Sequence, residues 1–199
     1  MKYILSILMI VGLTLSSYSK SKEVGENIDV THYEIHLNEI NVADRIIDAT
    51  TIITLKTLTS IDGIELELKS LDVTSVTSDD AIINNFSQNG DVLSVTFGNT
   101  VTANTTISLT VNYGGTTFNE NWGGIHWSND YVYNLGVGFD SQPHNLGKTW
   151  FPCVDNFTDK ASFDLYITYP DNMLSSCGGL LSATTDNGDG TKTDHWVVS

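Results

Sequence analysis

The sequence predicts an all-β protein, an antiparallel β-sandwich domain preceded by an N-terminal signal peptide helix. Three observations carry that prediction. Apolar and polar residues alternate through most of the chain after residue 20, with the period of two that marks a half-buried strand. Glycine and asparagine turn signals interrupt these runs at short intervals. Beyond the first twenty residues, no window longer than about 12 residues carries a 3.6-residue apolar period.

Residues 1–20 read as an export signal. Lys2 gives a short positive start, Ile4 to Leu15 form a nearly unbroken apolar run, and Ser17-Tyr18-Ser19 place small residues where a signal peptidase cuts. The run falls short of the ~20 residues a membrane-crossing helix needs, so cleavage is expected rather than a retained anchor. No Cys follows it to carry a lipid, and no second long apolar stretch occurs. The expected location is therefore secreted or periplasmic, with no membrane span in the mature chain, 21–199.

The strands follow in order. Tyr33, Ile35 and Leu37 alternate with Glu34 and His36, and Ile52 to Leu55 is a β-branched run interspersed with Thr. Ile64, Leu66 and Leu68 against Glu65, Glu67 and Lys69 give the clearest alternation in the chain. Leu93-Val95-Phe97, Ile107-Leu109-Val111-Tyr113 and Phe163-Leu165-Ile167 repeat it, and Trp196-Val197-Val198 is expected to begin a last strand. Asn89-Gly90-Asp91 and Asp186-Asn187-Gly188-Asp189-Gly190 offer positions for φ > 0, so both read as hairpin turns. Short strands separated by such turns suggest a sandwich of antiparallel sheets.

The segment 116–147 breaks the pattern. It is glycine-rich, alternates poorly and holds Trp122, Trp127, Tyr131, Tyr133 and Phe139. Such segments form loops at a site, or their rings plug the end of the sandwich as ordinary core. Both readings stay open here.

Charge and chemistry narrow the function. With 24 Asp plus Glu against 9 Lys plus Arg, the chain carries −15 and repels phosphate backbones, so no nucleic-acid partner is expected. His32-Tyr33-Glu34-Ile35-His36 approaches the H-E-x-x-H pattern of a zinc peptidase, but its Glu is misplaced. On a strand its two His would stand about 13 Å apart, too far to share an ion with Zn–N distances of about 2 Å. They read as the polar face of the first strand. His126, His144 and His195 show no ligand spacing, and no Ser sits in a G-x-S-x-G elbow. The 186–190 turn lacks the ligand order of a calcium loop. Cys153 and Cys177 are permitted to join in an exported chain, though nothing requires it.

Trp150-Phe151-Pro152-Cys153, Asp155 and Lys160-Ala161-Ser162-Phe163 resemble the W-F-P-C-x-D-x-x-x-x-K-A-[ST]-F segment of the N-terminal domain of aminopeptidase N-like (gluzincin) zinc metallopeptidases. The segment 30–37 is similar to that family's first strand, D-V-x-H-Y-x-[IL]-x-L. Ile64 to Leu68 with Leu71, Val73 and Val76, then Tyr113-Gly114-Gly115 and Gly123-Gly124, resemble elements that follow in the same order. Pro170 and Ser176-Cys177-Gly178-Gly179-Leu180 resemble a later P…S-x-G-x-L stretch.

The resemblance implies a saddle-shaped β domain packed against a thermolysin-like catalytic domain. It implies a Gln or Glu upstream of the F-P-C turn that helps to bind a peptide's free amino group. Gln142 is the candidate here, although the family's Q-x-E pattern is broken and Pro143 follows; Asp140 is a poorer one. The family's G-A-M-E-N segment, zinc-binding helix and distal Glu would lie beyond Ser199. No catalytic residue, metal ligand or cofactor is therefore expected in this chain, which should be inactive alone. Zinc is expected in the catalytic domain, and the partner is a peptide substrate held together with that domain. Trp150, Phe151, Pro152, Asp155 and Lys160 read as structural, with Asp155 and Lys160 able to pair across the turn. The rival is a secreted β-sandwich module that binds carbohydrate or a protein on Trp122, Trp127 and Tyr131. A third class is a structural domain in a protein whose metal helix has decayed.

Overall fold

The alternating runs become strands because each can lay one row of side chains on a shared core while the other row meets water. A computed structural model describes residues 23–129 and 131–199; the signal segment expected at 1–20 lies outside the described residues. The strands are β1 (Ile28–Asn41), β2 (Ile46–Thr57), β3 (Ile61–Glu67), β4 (Asp72–Thr77), β5 (Ile83–Asn89) and β6 (Val92–Val101). They continue with β7 (Thr106–Thr116), β8 (Ile125–Ser128), β9 (Tyr131–Asn134), β10 (Ser162–Pro170), β11 (Leu180–Asp186) and β12 (Thr191–Val198). One 3₁₀ turn, Gly147–Thr149, lies between β9 and β10.

Seven strands make one sheet in the order β11-β12-β10-β1-β2-β7-β4; β3-β6-β5 make a second, and β8-β9 a small third. In β2 the residues Ile47, Ala49, Thr51, Ile53 and Leu55 all point inward, opposite Ile107, Leu109, Val111 and Tyr113 of β7. Leu66 of β3 and Leu93 and Val95 of β6 face them from the second sheet and belong to the same buried cluster. Each fully buried Leu or Ile contributes about 1.5–3 kcal/mol relative to exposure, so the all-β sandwich follows from the alternation itself. Gly63 permits the closest approach: a Cβ there would lie 2.4 Å from the Val95 carbonyl oxygen.

The structure refines several expectations. The sheets are antiparallel except for one parallel pair, β1 with β10, whose His32 and Ser162 are register partners 130 positions apart. The last strand begins at Thr191 rather than Trp196, since Thr191 to His195 pair with the end of β10 despite their polar side chains. Both expected hairpin turns form, with Gly90 at φ 59° and Gly188 at φ 74°. Cys153 and Cys177 are both free thiols.

Candidate functional site

The Trp150–Cys153 segment is an anchor beneath a loop. Phe151 is buried and meets the ring of Tyr33 edge-on at 5.1 Å, with Trp150 and Phe163 at 4.6 and 6.0 Å. The backbone N–H of Val154 donates to the Tyr33 hydroxyl at 3.1 Å. The Tyr113 hydroxyl donates to the Trp150 carbonyl at 3.0 Å, which leaves the Thr51 hydroxyl, also at 3.0 Å, to donate in return. Burial pushes both phenols well above the ordinary tyrosine range.

Next to this aromatic anchor lies an ion group that joins the second sheet to the loop. Glu67 and Cys153 exchange both backbone hydrogen bonds, 2.7 and 3.0 Å, extending the edge of β3 by one bridge. That pairing brings the Glu67 carboxylate over Lys148, whose Nζ is 2.7 Å from Glu67 Oε1 and 3.9 Å from Asp155 Oδ2. The other Glu67 oxygen accepts the Asp155 N–H at 3.3 Å, and Asp155 Oδ1 accepts the Gly147 N–H at 3.2 Å. Burial pulls the Lys148 ammonium down, but the hydrogen bond and charge of Glu67, aided by Asp155, outweigh it and hold its pKa above the ordinary value. The Cys153 thiol is pushed up by burial, then by Asp155 and Glu67, so it is no nucleophile. Asp155 therefore takes Lys148, not the expected Lys160: the chain folds back so that the 3₁₀ turn, rather than the start of β10, faces the carboxylate.

Above this joint sits the loop that carries Gln142. Glu120 braces it from the facing segment, accepting the Asp140 N–H at 3.0 Å on Oε1 and the Ser141 hydroxyl at 2.5 Å on Oε2. The Ser141 hydrogen bond holds the Glu120 carboxyl below the usual carboxylate range. Asn121 donates to Asp140 at 2.9 Å, so Asp140 is engaged within the loop. Gly138 donates to the His144 carbonyl at 2.8 Å, and Leu146 to Gly136 at 3.0 Å. Gln142 itself is exposed, with its amide nitrogen 3.0 Å from His144 Nε2 and a cis peptide bond to Pro143. Its amide oxygen is available to accept from a charged donor.

The rings of 116–147 divide between the two readings left open. Ile125 is buried, and Trp127 and Val132 pack on the core, the indole of Trp127 donating to the Thr117 hydroxyl at 2.8 Å. Trp122, Tyr131, Tyr133 and Phe139 are exposed. Tyr131 and Tyr133 lie on the outward row of the hairpin β8–β9, whose outer face pairs with no other sheet, and Trp122 and Phe139 flank it in the loops on either side.

The histidines of β1 sit on the polar side of the large sheet. His32 and His195 both face Asp164, at 3.2 and 2.5 Å, while His36 faces Glu34 at 2.7 Å. Tyr166 is stacked between His36 and His195, with ring centroids 4.4 and 4.2 Å away. His32 and His195 thus share the Asp164 carboxylate, one on each oxygen, while His36 pairs with Glu34 and stacks on the Tyr166 phenol. Among the described residues, no group of three or more His, Cys, Asp or Glu could hold a metal ion. The residues present do not fit zinc.

Sequence reasoning pointed to Gln142 and missed Glu120, Glu67 and Lys148. A lone Lys two residues before the W-F-P-C segment, in a chain this short of cations, was the available signal.

Comparisons with known proteins agree on one relationship. Residues 29–199 match the family described as the Peptidase M1 N-terminal domain. Among solved structures, the chain is similar to the M1 zinc metallopeptidase of Deinococcus radiodurans, with 22% identity, a TM-score of 0.73, and 86% of this chain and 39% of that one covered. A mutant of the same metallopeptidase bound to a Tyr-Ser-Ala substrate gives 23% identity and 0.72, again with 86% and 39% covered. At such identity the likeness shows the fold. A stretch of 56 residues is 41% identical to transcription initiation factor TFIID subunit 2 of Drosophila melanogaster, covering 28% of this chain and 5% of that protein. The chain thus spans about two fifths of the metallopeptidase structures and a small fraction of the TFIID subunit.

Proposed function

Because the chain belongs to the Peptidase M1 N-terminal domain family, we propose that it is the substrate-flanking domain of an exported, zinc-dependent aminopeptidase-like metallopeptidase, with Gln142 contacting the amino end of a bound peptide. The observation that supports this reading is Gln142 standing exposed at the tip of a loop braced by Glu120 and seated on the Lys148–Glu67 pair. An ammonium group is a charged donor, and its hydrogen bond to an amide oxygen is about twice as strong as a neutral one. A loop braced in this way fixes where that oxygen stands and so lowers the ordering cost of binding.

The division of labour is simple. Zinc and the residues that work with it would belong to a catalytic domain outside these 199 residues, where the metal would supply Lewis-acid chemistry. This chain orients one end of the substrate and closes one side of the cleft. Export is supported by the charge, apolar run and small residues of 1–20.

Two experiments bear on it. The reading frame past Ser199 should encode a G-x-M-E-N segment and then H-E-x-x-H, and its product should hydrolyse amino-acid anilides in a zinc-dependent manner. The 199-residue chain should not. Hydrolysis by the short chain, or a frame without the zinc helix, would overturn the proposal.

The exposed Trp122, Tyr131 and Phe139 favour a second reading, a binding module that stacks sugars or a protein partner on its rings. Quenching of tryptophan fluorescence by polysaccharide would support that module.

A further inference from the structure

We propose that Ser162 is an activated nucleophile on the outer face of the large sheet, with His32 as its general base and Asp164 positioning that base, and that it accepts the acyl group of small activated esters. The three residues meet through the parallel pairing of β1 with β10. Its register sets Ser162 opposite His32 and Asp164 opposite Glu34. Side chains alternate across a strand, so 162 and 164 share a face with 32, and the imidazole reaches both. His32 Nδ1 is 2.8 Å from Ser162 Oγ, and its Nε2 is 3.2 Å from Asp164 Oδ2.

The hydrogen-bond directions follow from the carboxylate. An ionised Asp164 only accepts, so the neutral His32 ring carries its proton on Nε2 and leaves Nδ1 bare. The Ser162 hydroxyl is within reach of that nitrogen and donates to it, rather than to the Thr31 carbonyl 3.2 Å away. On the far side of β10, His195 Nε2 donates to the other Asp164 oxygen at 2.5 Å, and Tyr166 stacks on His195 at 4.2 Å. The carboxylate is thereby gripped from both neighbouring strands. A hydroxyl, a base within reach of it and a third group that orients the base are what activate a serine. Ser175, by contrast, meets Asp194 directly, with no imidazole between them.

The side chains of His32 and Asp164 are 29% and 26% exposed, so a small reagent reaches them. A sheet face gives no wall to hold a large substrate and no help to a poor leaving group, which points to aryl esters rather than amides. Ser162 Oγ bonds to the ester carbonyl carbon while its proton passes to His32 Nδ1. The bond to the phenolate breaks, and the phenolate leaves with that proton. Water then attacks the acyl-serine and gives a proton to His32, which returns it to Ser162 Oγ as the carboxylic acid departs.

Treating the 199-residue chain with a fluorophosphonate, in the presence of a metal chelator, tests this. Mass mapping should place an adduct on Ser162 in the native chain and none there in urea. His32→Gln should slow labelling about a hundredfold. Asp164→Asn should slow it by a similar factor, since an amide does not hold the imidazole in that tautomer. Should His32→Gln unfold the chain, Ser162→Cys carries the test, and iodoacetamide should alkylate position 162 about tenfold faster than Cys177. The native chain should release p-nitrophenol from p-nitrophenyl acetate and leave amino-acid anilides intact. No adduct on Ser162, labelling that His32→Gln leaves at its original rate, or alkylation no faster than that of Cys177 overturns the proposal. None of these results touches the zinc peptidase reading, whose test lies in the frame past Ser199.

Discussion

The Lys148 ammonium lies 2.7 Å from Glu67 Oε1, a contact between residues 81 positions apart that ties the edge of the smaller sheet to the turn below the Gln142 loop. Two carboxylates, Glu67 and Asp155, close around it, and each accepts a backbone N–H from the loop side, so the loop is tied to β3. Lys148→Met leaves the Glu67 and Asp155 carboxylates without their counter-charge in a largely dry site. The expected loss is about 2–4 kcal/mol in urea unfolding. Adding Glu67→Gln should recover part of it, and equal losses for the single and double variants would show that the pair contributes through packing alone.

Alkaline pH should weaken the fold through its phenols. Burial raises Tyr33 and Tyr113 well above the ordinary value, and burial with the Asp194 carboxylate pushes Tyr169 up to about 12. A group raised in the folded state contributes its stability fully below the unfolded pKa of about 10, and that stability drains as pH climbs through the folded value. The urea midpoint should therefore decline above about pH 10, and Tyr33→Phe should make the decline shallower. A midpoint independent of pH up to 12 would contradict it.

Acid acts on a different residue. Asp194 is buried on β12 and accepts hydrogen bonds from Tyr169 at 2.8 Å, and from Ser175 and Thr184 at 2.5 Å each. Burial works to raise its pKa, yet the three hydroxyls prevail and hold it below the ordinary value. Its stability is present above the unfolded pKa of about 3.9 and is lost as pH falls through the folded one. Asp194→Asn should cost about 2 kcal/mol near neutral pH, and the gap from the unmodified chain should narrow below about pH 4. A gap constant with pH would count against the carboxylate.

The thiols should report the fold directly. Cys153 is 3% exposed and Cys177 is half-buried, with no bond between them. A thiol reagent should label Cys177 slowly in the native protein and both residues in denaturant. A mass lower by two hydrogens, with no thiol labelled in denaturant, would reveal a disulfide instead.

The fold was legible wherever one face of a strand is buried. β2, β3, β6 and β7 alternate cleanly because a single core takes every second side chain. β11 escaped because it is exposed along its whole length, so Leu180-Leu181-Ser182-Ala183 carries no period. β5 and the short β8 and β9 were hidden by polar or glycine-rich surroundings. The parallel pairing of β1 with β10 could not be read from either strand, since each alternates the same way whichever neighbour it takes. At the site, Gln142 came from resemblance to a family motif, while Glu120, Glu67 and Lys148 depend on contacts across the chain. Asp155 illustrates the limit: the sequence offered Lys160 as its near neighbour, and the fold supplied Lys148.

The most direct test is steady-state kinetics on the product of the complete reading frame, comparing Gln142→Leu with the unmodified protein on peptides with a free or an acetylated amino end. Loss of one charge-assisted hydrogen bond, about 1.5–3 kcal/mol, predicts a KM about 10- to 150-fold higher for the free-amino peptide. Little change should follow for the acetylated one. An unaltered KM for the free-amino peptide would contradict the account.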